Sequence, residues 1–210
     1  MGTIMIPILL ADDENLIRSA MASMLDLQDD LTVVADVGTG DELLDAWRAR
    51  VDAGAEPAVA IVDLQMPGRD GIETAVELLS LTPDAGIVMV TSHGRPGYLK
   101  RALEAGIRGF LPKTTSATTL ADVIRTVHGG GRYVDPELAA EAISTGDSPL
   151  TPRESDVLEL ALEGFSVEEI ATRAHLSAGT TRNYLSSAMT KLAVSNRYEA
   201  AVRARERGWL

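Results

Sequence analysis

The chain contains no cysteine, which removes disulfides, thiolate metal sites and cysteine nucleophiles together. Its three histidines, His93, His128 and His175, are scattered, so a histidine metal centre is not expected. Long hydrophobic runs are missing too. Ile4 to Ala11 is apolar but too short to span a bilayer, and Asp12-Asp13-Glu14 cuts it off. Nothing there reads as a signal peptide, so the expected compartment is a reducing cytoplasm, with no direct membrane association. There is no internal repeat. Gly129-Gly130-Gly131 lacks a P-loop lysine and a following helix start, which makes it a helix stop rather than a phosphate cradle.

What is present suits two domains of unequal size: 210 residues, 45% hydrophobic and 24% charged. A net charge of -12 speaks, taken whole, against a nucleic-acid binder. Its distribution reverses that impression. From Ser148 onward 8 Lys and Arg face 8 Asp and Glu, so the first 147 residues hold 11 basic and 23 acidic side chains. From Thr180 to Leu210 six basic residues stand against two glutamates, which makes the last two helices basic.

The first 130 residues alternate short apolar runs with amphipathic segments. Ile8–Ala11, Thr32–Ala35, Val59–Val62, Ile87–Val90 and Gly109–Leu111 are continuous in polarity, as strands covered on both faces should be. Leu16, Ile17, Ala20, Met21, Met24 and Leu25 repeat at helical spacing, as do Leu120, Val123, Ile124 and Val127. Five strand–helix alternations predict an α/β fold with a doubly wound five-stranded parallel sheet over residues 4–130. Residues 131–148 have linker composition with a short helical stretch. Residues 149–210 are all helical, opened by capping boxes at Thr151–Glu154, with Pro152 at the first helical position, and at Ser166–Glu169.

The chemistry begins with carboxylates at strand ends. Asp12 and Asp13 follow the first strand and Asp63 the third. In an open parallel sheet these ends share the carboxyl edge, where ligands bind near the topological switch point. Converging carboxylates repel unless a hard cation joins them, and Mg²⁺ takes oxygen ligands of this kind. Thr91 adds a hydroxyl after the fourth strand and Lys113 an ammonium after the fifth. Taken singly, each is an ordinary cap, loop hydroxyl or surface charge. Their joint placement suits transfer of a phosphoryl group onto a carboxylate, where the protein mainly positions and neutralises.

With these residues, Ile8 to about Val127 resembles the flavodoxin-like receiver domain of two-component response regulators. The resemblance is carried by Asp12-Asp13, by Asp63 in Val-Asp-Leu-Gln-Met-Pro-Gly-Arg-Asp-Gly, by Thr91 in Val-Thr-Ser and by Lys113 in Gly-Phe-Leu-Pro-Lys. It implies that Asp63 accepts a phosphoryl group from a cognate sensor histidine kinase. It also implies that Asp13, Asp63 and the Gln65 carbonyl hold Mg²⁺, with Asp12 acting through water, and that Thr91 and Phe110 form a switch pair. Thr114 follows the lysine where many receivers have proline, a variant usual in the subfamily that the C-terminal part resembles.

In that part, Thr181, Leu185, Ala188, Met189 and Leu192 form one apolar stripe, and Thr180, Arg182, Asn183, Ser186, Ser187 and Lys191 occupy the remaining faces. Arginine pairs with guanine and asparagine with adenine in the major groove, and early positions of a recognition helix reach base edges. Arg182, Asn183 and Ser186 are therefore expected at bases, and Thr180, Lys191 and Arg197 near phosphates. Leu150 to Leu210 resembles the all-α four-helix LuxR-type helix-turn-helix domain of NarL/FixJ-family regulators. The carrying residues are Leu-Thr-Pro-Arg-Glu-Ser-Asp-Val-Leu, Glu169-Ile170-Ala171, Leu176 to Tyr184, and Lys191-Leu192-Ala193-Val194. Thr181 and Tyr184 stand where many relatives carry valine and histidine. The Arg-Asn-Tyr-Leu-Ser run, with Arg-Pro-Gly-Tyr after Thr91, is similar to the DesR-like subgroup.

These features predict a transcription regulator, not an enzyme. It would be phosphorylated on Asp63, form a homodimer on activation, and bind double-stranded DNA at a near-palindromic operator. Its receiver would pair through the region from helix four to strand five or through helices one and five. Ala200, Ala201 and Ala204 of the last helix are expected to permit a second dimer contact. An aspartyl-phosphatase would place an acid two residues after its nucleophile, where this chain has Gln65. A phosphorylation-independent receiver is disfavoured by the intact Asp13, Asp63, Thr91 and Lys113 set.

Overall fold

The structure is a computed structural model that describes residues 5–55, 58–92, 96–145, 148–207 and 209–210. His93, and Arg95 of the Arg-Pro-Gly-Tyr run, lie outside the described residues. The chain divides into a unit of residues 1–94 and 101–136 and a unit of residues 95–100 and 137–210.

In the first unit the strands are β1 (Ile6–Ala11), β2 (Leu31–Val37), β3 (Val59–Asp63), β4 (Gly86–Thr91), β5 (Gly109–Pro112) and β6 (Tyr133–Val134). They form one sheet in the order β2-β1-β3-β4-β5-β6, with every pairing parallel. The apolar runs of β1, β3 and β4 are buried throughout, as continuous polarity requires. The sequence expectation needs two corrections here. The sheet has six strands, because Tyr133–Val134, assigned from sequence to the linker, pairs with Gly109–Phe110. Two residues are too short a run to carry a polarity signal. β2 is an edge strand, so its residues are only partly covered.

Side chains of alternate parity cover the two faces of the sheet. Ile8, Leu10, Ile61, Val88, Val90 and Leu111 face α1 (Asn15–Leu25) and α5 (Ala117–His128), meeting Leu25, Leu120, Ile124 and Val127. The opposite parity supports α2 (Gly40–Asp52) and α3 (Gly71–Leu81), which bury Leu43, Leu44, Trp47, Ala75 and Leu78, and α4 (Pro96–Glu104) comes between β4 and β5 in the chain. The apolar stripe of α1 is only partly absorbed: Leu16 is 84% exposed and Met24 49% exposed. As expected, α5 ends at the glycine run, with Gly129 as its C-cap and Gly130 at φ +83.

The loop from β3 to α3 positions the site. Asp70 and Glu73 form a capping box that starts α3, and the Gly71 amide donates to the Leu64 carbonyl at 3.0 Å. This draws the helix start so close that a Cβ on Gly71 would lie 2.2 Å from the Asp63 carbonyl oxygen.

In the second unit α6 (Pro136–Thr145) precedes four helices: α7 (Pro152–Leu162), α8 (Val167–Arg173), α9 (Ala178–Lys191) and α10 (Arg197–Glu206). The capping boxes at Thr151 and Ser166 form as their sequences require. α8 and α9 end in Schellman turns, in which His175 and Ala193 adopt φ of 55 and 52. The Leu176 amide reaches the Ala171 carbonyl at 2.8 Å, and the Val194 amide reaches that of Met189 at 3.1 Å. His175 therefore has a backbone role in the helix-turn-helix corner. The core joins Val157, Leu158, Ile170, Leu185 and Ala188 to Ala200, Ala201 and Ala204. This corrects the role expected of the alanines in the last helix: they are 0% exposed and permit close approach within their own unit, so a partner would meet other residues of that helix.

Gly71→Ala is expected to cost about 1–3 kcal/mol, because the clash is with backbone that cannot swing away. Gly129→Ala, with an ordinary φ of -74 and its nearest contact at 3.5 Å, should be close to neutral. Urea unfolding of the two variants checks the contrast.

Candidate functional site

The parallel register sets the acidic residues side by side. Ala11 pairs with Val62, Asp63 with Val90 and Thr91 with Pro112, so Asp12, Asp63, Thr91 and Lys113 all reach the carboxyl edge together. The sheet order reverses between β1 and β3, which places Asp12 and Asp63 on either side of the switch point. Asp12 is fixed from several directions. Its amide donates to the Val37 carbonyl at 3.1 Å, its own carbonyl accepts from Arg18 Nη1 at 2.6 Å, and its Oδ1 accepts from the Glu14 amide at 2.8 Å. The backbone of Lys113 is tied to β4 by its amide donating to the Thr91 carbonyl at 2.8 Å.

The Lys113 side chain is 6% exposed, and its Nζ lies 2.9 Å from Asp12 Oδ2, 2.8 Å from Glu14 Oε1 and 3.2 Å from Asp63 Oδ2. Burial pushes the Asp63 carboxyl up to about 7; Lys113 opposes that rise, while Asp12 and Asp13 add to it. Burial would lower the pKa of Lys113, but hydrogen bonding to Glu14 and the negative charges of Asp63 and Asp12 raise it instead. Carboxylate oxygens of Asp12, Asp13 and Asp63 lie within 4.8 Å of one another. Asp12 Oδ2 is buried and its contact with Lys113 is not an aligned hydrogen bond, so it retains an acceptor position. Clustered anionic oxygens, one of them unsatisfied, with a single ammonium between them, fit a small hard cation. Gln65 follows on the exposed loop, and Thr91 and Phe110 are buried on β4 and β5.

In the second unit α9 buries Thr181, Leu185 and Ala188. It exposes Arg182, Asn183, Ser186 and, missed from sequence, Thr190, four residues beyond Ser186 on the same face. Thr180 sits at the helix start with its hydroxyl 2.8 Å from that of Ser177. Arg182 pairs with Glu168 of α8 at 2.8 Å, both exposed, and Arg197 opens α10 half-buried. Lys191 is exposed and Ser187 half-buried. They donate to Glu154 at 2.7 and 2.6 Å and tie α9 to the start of α7. Burial would raise the Glu154 pKa, but these two bonds hold it below the ordinary value. Sequence reasoning gave Glu154 only a capping role and Glu14 none, since both partners are far away in the chain.

A parallel sheet with acids and a lysine on its carboxyl edge, together with a helix-turn-helix unit, defines a class that comparison with known proteins makes specific. Residues 8–125 match the response regulator receiver domain, and residues 148–204 match the bacterial regulatory proteins of the luxR family. The chain belongs to the response regulators that combine these two domains, and it is a DNA-binding transcription regulator of that family. It is 41% identical over 207 residues to the transcriptional regulatory protein DesR of Bacillus subtilis, covering 98% of this chain and 99% of that protein. It is 39% identical to UhpA of Escherichia coli, covering 98% of this chain and 100% of that one. Among solved structures it is similar to RcsB of Salmonella enterica serovar Typhimurium bound to a promoter with a phosphomimetic. The TM-score is 0.65 and the identity 26%, over 97% of this chain and 98% of that one. Among the described residues, no helix is long and apolar enough to cross a membrane.

Two pH dependences follow. The folded chain keeps the Asp63 proton to about pH 7, whereas the ordinary carboxyl value is 3.8. Raising the pH through that window without metal therefore favours unfolding. Asp63→Asn should match the native chain near pH 4 and melt several degrees higher above pH 7, as a thermal melt in chelator reads. Glu154 has the opposite sign. Its stabilisation is complete above the ordinary value of 4.5 and is lost as pH falls through its lowered one. Glu154→Gln should cost about 1–3 kcal/mol at pH 7, with the difference closing towards pH 3 in denaturant titrations.

Proposed function

We propose that the chain is a phosphorylation-controlled regulator in which Asp63 accepts a phosphoryl group from a cognate sensor histidine kinase. The observation that carries this reading is the buried Asp63 carboxylate beside Lys113 Nζ at 3.2 Å, within the Asp12–Asp13–Asp63 cluster. In the transfer, an Asp63 oxygen forms the new O–P bond while the N–P bond of the kinase phosphohistidine breaks and its electron pair stays on the imidazole. Asp13, Asp63 and the Gln65 carbonyl would hold Mg²⁺, with Asp12 acting through water, and the ion would supply positive charge to the phosphoryl oxygens. Lys113 donates to a phosphoryl oxygen and the Thr91 hydroxyl to another, and Phe110 responds to the movement of Thr91. Such a switch shifts a two-state equilibrium only as far as the phosphoryl group binds one state better.

The output is a homodimer on a near-palindromic operator. The face of α1 and α5 is the pairing surface. It carries the exposed Leu16 and Met24 and a groove of about 260 Å³ lined by Ile17, Met21, Val90 and Leu120. On DNA, Arg182, Asn183 and Ser186 address bases, and Thr180 and Arg197 address phosphates. Lys191, itself exposed, gives one of its three N–H donors to Glu154 and keeps the others for a phosphate. A cytoplasmic location fits the DNA partner.

The test is binding of the purified chain to a genomic fragment library, with and without a small phosphodonor and Mg²⁺, alongside Asp63→Asn. The expected outcome is binding about tenfold or more tighter with the donor in the native chain and no response in the variant, since ~1.4 kcal/mol of coupling suffices. Binding equal under all conditions would overturn the regulatory role of Asp63.

A further inference from the structure

The ammonium of Lys113 has three N–H donors and three carboxylates around it: Asp12 at 2.9 Å, Glu14 at 2.8 Å and Asp63 at 3.2 Å. A phosphoryl group arriving on Asp63 therefore finds every Lys113 donor facing an acid. Asp12 and Asp63 cannot yield their places, because both are buried at strand ends held by the sheet register. Glu14 is different. Its side chain is half exposed, so water can take over its oxygens when it lets go. It occupies the N-cap of α1 yet makes no side-chain capping bond. Its carboxylate instead reaches a lysine 99 residues away in the chain. It also lies outside the Asp12–Asp13–Asp63 group that fits a cation.

We propose that Glu14 is a positioning residue that holds Lys113 in the resting site and weakens the grip of the site on a phosphoryl group. This rests on the reading of Asp63 as phosphoacceptor. Two effects act in the same direction. One Lys113 donor must leave Glu14 to reach the phosphoryl oxygen, and the Glu14 charge remains beside a dianionic group once it has been displaced. The resting site is thereby kept closed to weakly bound anions, and the phosphorylated state is made easier to reverse. Glu14→Gln removes the charge and keeps an acceptor for Lys113, so it isolates the electrostatic part.

The experiment is calorimetric titration of the full chain with beryllofluoride, a phosphoryl mimic, at saturating Mg²⁺, with Mg²⁺ alone as reference. Glu14→Gln is expected to bind the mimic about three- to tenfold tighter than the native chain, as fits one partly solvated charge. That gain should shrink as KCl is raised to about 0.5 M, which a merely structural effect would not do. Should Glu14→Gln fail to fold, Glu14→Ala carries the same expectation. Equal or weaker binding by the variant, or a gain indifferent to salt, overturns the role of Glu14 and leaves Asp63 as acceptor. No binding by the native chain overturns both.

Discussion

The contact of Lys113 with three carboxylates at the carboxyl edge of the sheet is the constraint on which the first unit depends. The acids belong to the loop after β1 and to the end of β3, and the lysine follows β5, so the cluster exists only if three parallel strands end at one level. The burial that sets the register also strips water from Asp63 and makes its carboxyl reluctant to ionise. One ammonium cannot neutralise that many anionic oxygens. The site is thus built with an electrostatic deficit that a cation and a phosphoryl group together are suited to fill. Gly71 belongs to the same constraint, because α3 can start beside the Asp63 carbonyl only where no Cβ intervenes.

The second unit rests on a smaller device of the same kind. Glu154 caps α7 through backbone hydrogen bonds and also receives Lys191 and Ser187 from α9. A single buried carboxylate thus fixes both the start of one helix and the rotation of another. Ser187 and Lys191 reach Glu154 from the flank of α9, and its exposed face carries Arg182, Asn183, Ser186, Thr190 and Lys191. Two non-glycine residues at positive φ, His175 and Ala193, carry modest backbone strain to make the tight corners that set the angles between helices. The alanines of α10 complete the arrangement by letting that helix approach closely.

Fold class, helix starts and the identity of the acidic residues were legible in the sequence. Apolar periodicity, capping boxes and charge placement are local signals, written in residues a few positions apart. Asp12, Asp13, Asp63, Thr91 and Lys113 could be picked out because each directly follows or ends a recognisable strand. Tertiary structure decided everything that depends on partners distant in the chain: the sixth strand, the half-covered edge strand β2, the unabsorbed apolar face of α1, the burial of Ala200, Ala201 and Ala204, and the pairing of Glu14 with Lys113 and of Glu154 with Lys191. Periodicity says which side of an element is apolar but not what covers it. A surface glutamate and a buried one look alike until the fold brings a lysine to one of them.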